Sequence, residues 1–258
     1  MTSPSATTSA SPSLPLFYSR VVMLDRQAHA RLRFRPPETF SFAAGATMIP
    51  VLAAEFAPVA REYPIVFMSE DQGQTFFPVA LTGMPQGKNL FVSEQGVWDA
   101  RYMPAYVRRY PFVFAESQPG QFAVCVDPSS SCLDETQGTA LFESNGEPSK
   151  AMQDTVSRLG EYHRATLATR AFMEKLVAAK LLMESNAKAD LADGRSMTWR
   201  GFWTVDEARL RELPEATLKE WCNSGELGLL YAHLISLGNL SELLRRNPAS
   251  ATPPTPQR

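Results

Sequence analysis

Hydrophobic residues follow one pattern in the first part of this chain and another in the second. Residues 16–135 contain short apolar runs separated by proline and glycine, which is typical of strands joined by turns. Residues 148–246 instead repeat apolar residues at every third or fourth position, which is typical of helices that bury one face. Because strands and helices are segregated along the chain, we predict an α+β fold with a strand-rich N-terminal half packed against a mostly helical C-terminal half.

The two ends of the chain differ in composition from the rest. Residues 1–15 are almost entirely Ser, Thr, Ala and Pro, and residues 247–258 contain four prolines. Such segments bury too little apolar surface to offset the entropy lost on ordering, so we predict two disordered tails around a single domain at 16–246. The first segment lacks the apolar core of a secretory signal, and no window reaches about 18 uninterrupted apolar residues. We therefore expect a cytoplasmic protein without a membrane span.

Proline and glycine delimit the strands of the first half. The apolar runs 112–115 and 122–126 flank Pro119-Gly120, a pair that suits the centre of a type II turn, so we predict a hairpin. Pro78 lies inside the apolar run 75–81 and lacks an N–H. This run is therefore predicted to be an edge strand or to contain a bulge.

Local signals also delimit the elements of the second half. A long helix is predicted to begin at Pro148, because proline is favoured in the first turn. Asp193-Gly194 predicts a turn that leads into a tryptophan-rich strand at 197–204. Asn239 is predicted to cap the last short helix with its side chain.

Composition and charge narrow the class of partner. Lys and Arg total 25 and Asp and Glu total 27, which gives a net charge of −2. Proteins that bind nucleic acid through its phosphates are usually basic, so no nucleic-acid partner is expected. The three cysteines include no Cys-x-x-Cys pair, which favours reduced thiols over a disulfide framework or a metal site.

The motifs that most often identify an enzyme are missing from the sequence. It contains no G-x-G-x-x-G and no G-x-S-x-G, and the stretch 83–89 departs from a P-loop in its glycine spacing and in the residue after its lysine. The three histidines form neither an HExxH helix nor the His-x-Asp/Glu pair of non-haem iron sites. We therefore predict no catalytic residue, no metal ligand and no cofactor.

The first candidate binding cluster lies in the stretch 28–35, where apolar and polar residues alternate as in a half-buried strand. The polar face of that strand would carry His29, Arg31, Arg33 and Arg35. Like charges in a row repel one another and need partners, and guanidinium groups bind carboxylates and phosphates. Either the arginines pair with acids of the chain itself, or His29, Arg31 and Arg33 bind an acidic ligand.

The second candidate cluster lies at residues 98–112, where three tyrosines and three arginines are interleaved. Aromatic faces and guanidinium groups form stacking and cation–π contacts. These side chains either pack against one another or form a recognition surface. The candidate ligand-binding residues of this cluster are Trp98, Tyr102, Tyr106, Arg108 and Arg109.

The third candidate cluster is the tryptophan-rich strand. If it is regular, Trp199, Gly201 and Trp203 share one face, and the glycine leaves a gap between two indole rings. Either a flat ligand enters this gap, or a helix that packs on the sheet fills it.

With these segments identified, the chain resembles the bacterial SapC-like family. The resemblance is collinear, covers nearly all of residues 16–245, and is carried by Leu24-Asp25 with His29 and Leu32, Glu55-Phe56, and the stretches 63–67, 87–92, 102–112, 201–206 and 234–240. The family takes its name from a bacterial surface-layer locus. The resemblance implies pathway partners such as flavin-dependent halogenase-like proteins or outer-membrane receptors, and it implies no catalytic residues.

These observations lead to one main hypothesis and two alternatives. The main hypothesis is a non-enzymatic binding or accessory protein, linked to cell-surface or outer-membrane systems. It would recognise a peptide, a protein or a small acidic ligand where the arginine and aromatic clusters form one surface. The first alternative is an enzyme that acts on amino acids or peptides through scattered residues such as His29, Asp99 and Arg109. The second is a structural subunit.

Overall fold

The structure is a computed structural model, and it describes residues 14–71, 73–85, 87–190 and 196–247. The tails predicted at 1–15 and 247–258 lie outside the described residues, apart from Leu14, Pro15 and Asn247. The turn predicted at Asp193-Gly194 also lies outside them.

The described residues form strands in both halves of the chain and longer helices in the second half, so the predicted α+β class is confirmed. The strands are β1 (Val22–Met23), β2 (Arg33–Phe34), β3 (Met48–Pro50), β4 (Ile65–Ser69), β5 (Phe76–Leu81), β6 (Phe112–Gln118), β7 (Gln121–Val126), β8 (Leu133–Asp134), β9 (Thr139–Ala140), β10 (Leu182–Asp190) and β11 (Ser196–Val205). The helices are α1 (Phe56–Val59), α2 (Ala105–Arg108), α3 (Lys150–Ala178), α4 (Glu207–Arg211), α5 (Glu215–Ser224), α6 (Glu226–Ser236) and α7 (Leu240–Arg246).

The largest sheet is antiparallel, with the strand order β10-β11-β4-β5-β3. Its central strand β4 is fully buried at Ile65, Val66 and Phe67, because helices cover it. The same buried cluster includes Leu176 of α3 and Leu230 of α6, so both halves of the chain contribute to one packed core.

Pro78 shows where one prediction about this sheet was wrong. Strand β5 lies between β4 and β3, and its pairing with both is regular, so it is neither an edge strand nor bulged. The carbonyl of Pro78 accepts a hydrogen bond of 3.1 Å from the N–H of Val51, one residue beyond the end of β3. Because the N–H and C=O of a strand residue point to the same side, the donor that proline lacks faces the position where β3 ends.

Two small three-stranded sheets complete the first half, with the orders β1-β7-β6 and β8-β2-β9. The predicted hairpin is confirmed: β6 and β7 pair antiparallel around Pro119-Gly120, and Gly120 has the positive φ of 74° that a type II turn requires. The strand predicted at 28–35 was wrong except at Arg33–Phe34. Residues 26–31 form turns, because Asp25 Oδ1 accepts the N–H groups of Gln27 and Ala28.

The long helix α3 is confirmed, with Ser149 as its N-cap; the Ser149 hydroxyl accepts the N–H of Met152 at 3.3 Å. The capping role predicted for Asn239 was wrong. Its side-chain amide instead donates to the carbonyls of Ala60 and Tyr63, at 2.8 and 3.2 Å. Asn239 therefore joins the C-terminal helices to the segment after α1.

Within the described part of the chain, one helical stretch, Glu226–Arg246, has the length and apolar composition of a membrane span. Helices that pack on a protein core meet the same two criteria. In this stretch Leu230, His233 and Leu243 are buried. His233 connects α6 to the sheet, since its Nε2 accepts the N–H of Val205 at 3.1 Å and its Nδ1 lies 3.0 Å from the Ile65 carbonyl.

Candidate functional site

The tyrosine–arginine cluster lies beside an earlier segment of the chain, and a buried carboxylate holds the two together. Glu55 is only 5% exposed. Its carboxylate accepts hydrogen bonds from the N–H of Leu52, the N–H of Ala105 and the hydroxyl of Tyr102, at 2.9, 2.7 and 2.7 Å. Because a buried carboxylate is costly without such partners, this set of bonds fixes α2 beside α1.

A second set of hydrogen bonds fixes the start of the cluster. Glu62 accepts the N–H groups of Arg101 and Tyr102, each at 2.9 Å. The Tyr63 hydroxyl donates to the Tyr102 carbonyl at 2.6 Å and accepts the indole N–H of Trp98 at 3.1 Å. These bonds hold residues 98–102 in one conformation, although the stretch contains no helix or regular strand.

A cleft of about 250 Å³ lies between this pair of segments and α3. We call it the Arg109 cleft, and the residues that line it include Phe34, Leu52, Glu55, Ala105, Arg108, Arg109, Phe112, Thr155, Arg158, Leu159, Glu161 and Tyr162. Its walls are mostly apolar, and its charged groups come from the tyrosine–arginine cluster, Glu55 and one face of α3.

Arg109 is the central cation of this cleft. Its guanidinium carbon lies 4.0 Å from the ring centroid of Tyr106 and 4.6 Å from that of Tyr162. Its Nε is buried and has no hydrogen-bond partner, and no ion pair joins Arg109 to any carboxylate in the described part of the chain. Burial raises the pKa of Tyr162 to about 12, so this ring faces the cation as a neutral phenol at neutral pH. The guanidinium is therefore held by two rings rather than neutralised by an acid.

The neighbouring Arg108 is placed differently. Its Nη2 donates to the Tyr102 hydroxyl at 3.2 Å and lies 3.8 Å from Glu55, and its Nε donates to the Met103 carbonyl at 3.0 Å. Burial, together with the hydrogen bond to Glu55, raises the pKa of Tyr102 to about 12. Arg108, Tyr102 and Glu55 thus bond to one another, which leaves Arg109 and Arg158 as the arginines of this cleft without an ion pair among the described residues. Of these two, Arg109 is the one held between aromatic rings.

A second cavity of about 750 Å³ lies on the far side of Tyr102. We call it the Trp98 groove, and its lining residues are Pro58, Arg61, Glu62, Trp98, Asp99, Ala100, Arg101, Tyr102, Asn239, Glu242 and Arg246. Arg246 forms an ion pair of 2.8 Å with Asp99, and its guanidinium stacks over Phe91 at 4.4 Å. The C-terminal helix α7 therefore closes one side of this groove.

The family model that matches the sequence is SapC, and it matches residues 24–243. The chain belongs to the SapC family. The resemblance seen in the sequence is thereby confirmed, and the whole Arg109 cleft lies within the matched span. No curated protein and no solved structure matches the chain.

In this SapC-family chain the first arginine cluster lies outside both cavities; Arg31 and Arg35 are exposed, and His29 and Arg33 are half-buried. Asp25 donates its N–H to Nδ1 of His29 at 2.9 Å within a turn. Arg31 forms an exposed ion pair of 2.7 Å with Glu135, and Arg33 donates to the Gly138 carbonyl at 3.1 Å. Only Phe34 of this stretch lines the Arg109 cleft. The prediction that both arginine clusters share one surface was therefore wrong, because a turn replaces the expected strand.

The tryptophan pair predicted on β11 is also separated. Ala187 of β10 faces Trp199 and Ser185 faces Phe202, so β11 has one extra residue between these pairs, next to Gly201 with its φ of 75°. This bulge places Trp199 on the face of Phe202 and Trp203 on the opposite face. Trp199 lines a third cavity of about 310 Å³, whereas Trp203 packs edge-on against Phe76 at 5.2 Å. The expected gap between two indoles on one face does not form.

Several residues of the Arg109 cleft were not predicted as site residues, among them Glu55, Arg158 and Tyr162. Arg158 lies one position before Leu159 and Tyr162 three positions after it, so both are next to the apolar stripe of α3. The helical pattern of the sequence could therefore have indicated them. Glu55 was harder to identify, because the sequence shows only a single acidic residue within the apolar run 51–60. For metals, the described residues contain no group of three or more His, Cys, Asp or Glu side chains that could hold an ion.

Proposed function

We propose that this SapC-family protein is a binding or accessory protein that recognises a carboxylate in the Arg109 cleft. Arg109 supports the proposal: a guanidinium held between Tyr106 and Tyr162 has no acidic partner among the described residues and faces an apolar cleft. The proposed ligand is a peptide, a protein or a small acidic molecule that carries an apolar or aromatic group next to its carboxylate.

The chemistry of the cleft favours an anion of this kind. A guanidinium forms two parallel hydrogen bonds with a carboxylate, and such charge-assisted bonds are strong where water is displaced. The rings that hold Arg109 limit its rotamers, so less side-chain entropy is lost on binding. The cleft volume of about 250 Å³ lies below the range of roughly 300–1,000 Å³ that is typical for whole small-molecule ligands. It therefore suits one side chain with its carboxylate.

The enzyme alternative depended on His29, and its position does not favour that alternative. His29 lies in an exposed turn, bonds to the backbone of Asp25, and lines neither the Arg109 cleft nor the Trp98 groove. A binding function needs only the groups that line the cleft. The cytoplasmic location and the link to outer-membrane receptors or flavin-dependent halogenase-like proteins stay predictions that follow from the sequence.

A matched pair of probes tests the proposal. N-acetyl-L-phenylalanine carries an aromatic ring beside a carboxylate, and its amide has the same shape without the charge. By isothermal titration we expect the acid to bind at least about tenfold more tightly than the amide, a difference of about 1.4 kcal/mol. In the Arg109→Gln variant this difference should disappear.

The control variant is Arg31→Gln, which removes one positive charge from the exposed turn and should keep the preference for the acid. Thermal unfolding of both variants shows that each is folded. Equal binding of acid and amide by the wild type, or an unchanged preference in folded Arg109→Gln, would refute the proposal. Failure of the wild type to bind either probe, or the tetrapeptides described below, would refute it as well.

A further inference from the structure

The geometry points to a second compartment of the same site, and we infer that the ligand is an extended acidic peptide whose C-terminal carboxylate lies on Arg109. This inference rests on the proposed function, because it takes the Arg109 cleft as the place where the chain end binds. The preceding residues of the peptide would pass Tyr102 and enter the Trp98 groove.

The two cavities lie one after the other along a single pair of segments. Residues 52–62 and 98–110 run side by side in opposite directions, since Glu55 contacts Ala105 and Tyr102 whereas Glu62 contacts Tyr102 and Arg101. The Arg109 cleft lies at one end of this pair, next to residues 52–55 and 105–110. The Trp98 groove lies at the other end, next to residues 58–62 and 98–102.

Tyr102 and Arg108 lie at the boundary between the two cavities. Tyr102 lines the Trp98 groove, and its hydroxyl bonds to Glu55 and Arg108, both of which line the Arg109 cleft. Arg108 has a side chain that is 55% exposed, so the boundary between the cavities opens to solvent. An extended peptide advances about 3.3 Å per residue, so a chain of four residues spans roughly 13 Å.

The charges of the Trp98 groove determine the kind of peptide. Its acids have partners: Glu62 accepts two backbone N–H groups, Asp99 pairs with Arg246, and Glu242 pairs with Arg245 as well as Arg246. Its cations Arg61 and Arg101 are exposed and form no ion pair with the residues that the structure describes. Glu62 keeps its charge, so Arg61 and Arg101 exceed the acids without an ion pair by one positive charge, which favours acidic side chains in the peptide. Trp98 supplies an aromatic edge beside them.

Binding of three probes tests this inference independently of the proposed function. The first is N-acetyl-L-phenylalanine, which reaches only the Arg109 cleft. The second is the tetrapeptide acetyl-Glu-Asp-Glu-Phe with a free C-terminus, and the third is acetyl-Gly-Ser-Gly-Phe, of equal length but without acidic side chains. We expect the acidic tetrapeptide to bind at least about tenfold more tightly than either of the other two in low salt, and this gain to shrink as salt rises.

The double variant Arg61→Gln/Arg101→Gln should remove the advantage of the acidic tetrapeptide. Its matched control is Arg31→Gln/Arg33→Gln, which removes the same charge from the turn and the adjoining strand β2 and should keep that advantage. If N-acetyl-L-phenylalanine binds through Arg109 but the acidic tetrapeptide binds no better, the second compartment is refuted and the proposed function stands. An advantage that survives the Arg61/Arg101 variant likewise refutes it. If no probe depends on Arg109, both ideas fail.

Discussion

Residues 29–35 and residues 101–109 each carry three arginines, yet their side chains lie in different environments. Arg31 is 79% exposed and pairs with Glu135, itself 59% exposed, so water competes for both partners. Arg109 lies between two tyrosine rings with its Nε buried, and the neighbouring Arg108 contacts Glu55, which is 6% exposed at its side chain. The comparison shows that arginine content alone does not identify a site. What distinguishes the second stretch is its contact with the buried carboxylate of Glu55 and the burial of the Arg109 Nε.

The largest expected effect comes from removing the carboxylate that contacts each arginine, Glu55 beside Arg108 and Glu135 beside Arg31. Glu55→Ala should lower the free energy of unfolding by about 3–5 kcal/mol, because it leaves buried N–H groups and a neighbouring cation without their partner. Glu135→Ala should lower it by less than about 0.5 kcal/mol, because its ion pair is exposed. Urea denaturation measures both values. Similar losses in the two variants would show that the environments do not differ as described.

A buried histidine extends the predictions to pH. Burial lowers the pKa of His233 to about 4. A lowered pKa in the folded state means that the unfolded chain binds the proton more readily. Stability from His233 is therefore complete above pH 6.5 and is lost as the pH falls towards 4, by an amount on the order of 3 kcal/mol.

Urea denaturation between pH 7 and pH 4 measures this loss. We expect His233→Asn to have a flatter pH profile of unfolding free energy than the wild type. The remaining titrating groups are the same in both proteins, so the difference between the profiles isolates His233. A profile of His233→Asn as steep as that of the wild type would contradict the prediction.

The smallest of the three effects concerns the rings around Arg109. Tyr106→Leu removes one ring from the guanidinium and an edge contact with Phe17, and should destabilise the protein by about 1–2 kcal/mol. Tyr231→Leu is the control, because Tyr231 is 46% exposed on α6. We expect little change there. We compare the two variants by the shift of the urea midpoint relative to the wild type. Equal shifts would argue against a stabilising contact between Tyr106 and Arg109.

Much of the fold could be predicted because its signals are local. The hairpin at Pro119-Gly120 follows from the φ that glycine allows, and α3 follows from the spacing of its apolar residues. The failures also have local causes. Asp25 binds two following N–H groups and ends the expected strand, and one extra residue near Gly201 moves Trp203 to the other face of β11.

The amino-acid sequence was sufficient to name the segment that contains Tyr102, Tyr106, Arg108 and Arg109, because interleaved rings and guanidinium groups are visible in a short window. It was not sufficient to show which of these arginines is free, since that depends on contacts between distant residues. Glu55 meets Tyr102 across 47 positions, and Tyr162 reaches Arg109 from another helix. Burial and charge pairing are properties of the assembled core, so only the folded chain shows that the Arg109 Nε is buried and that no carboxylate of the described residues pairs with this arginine.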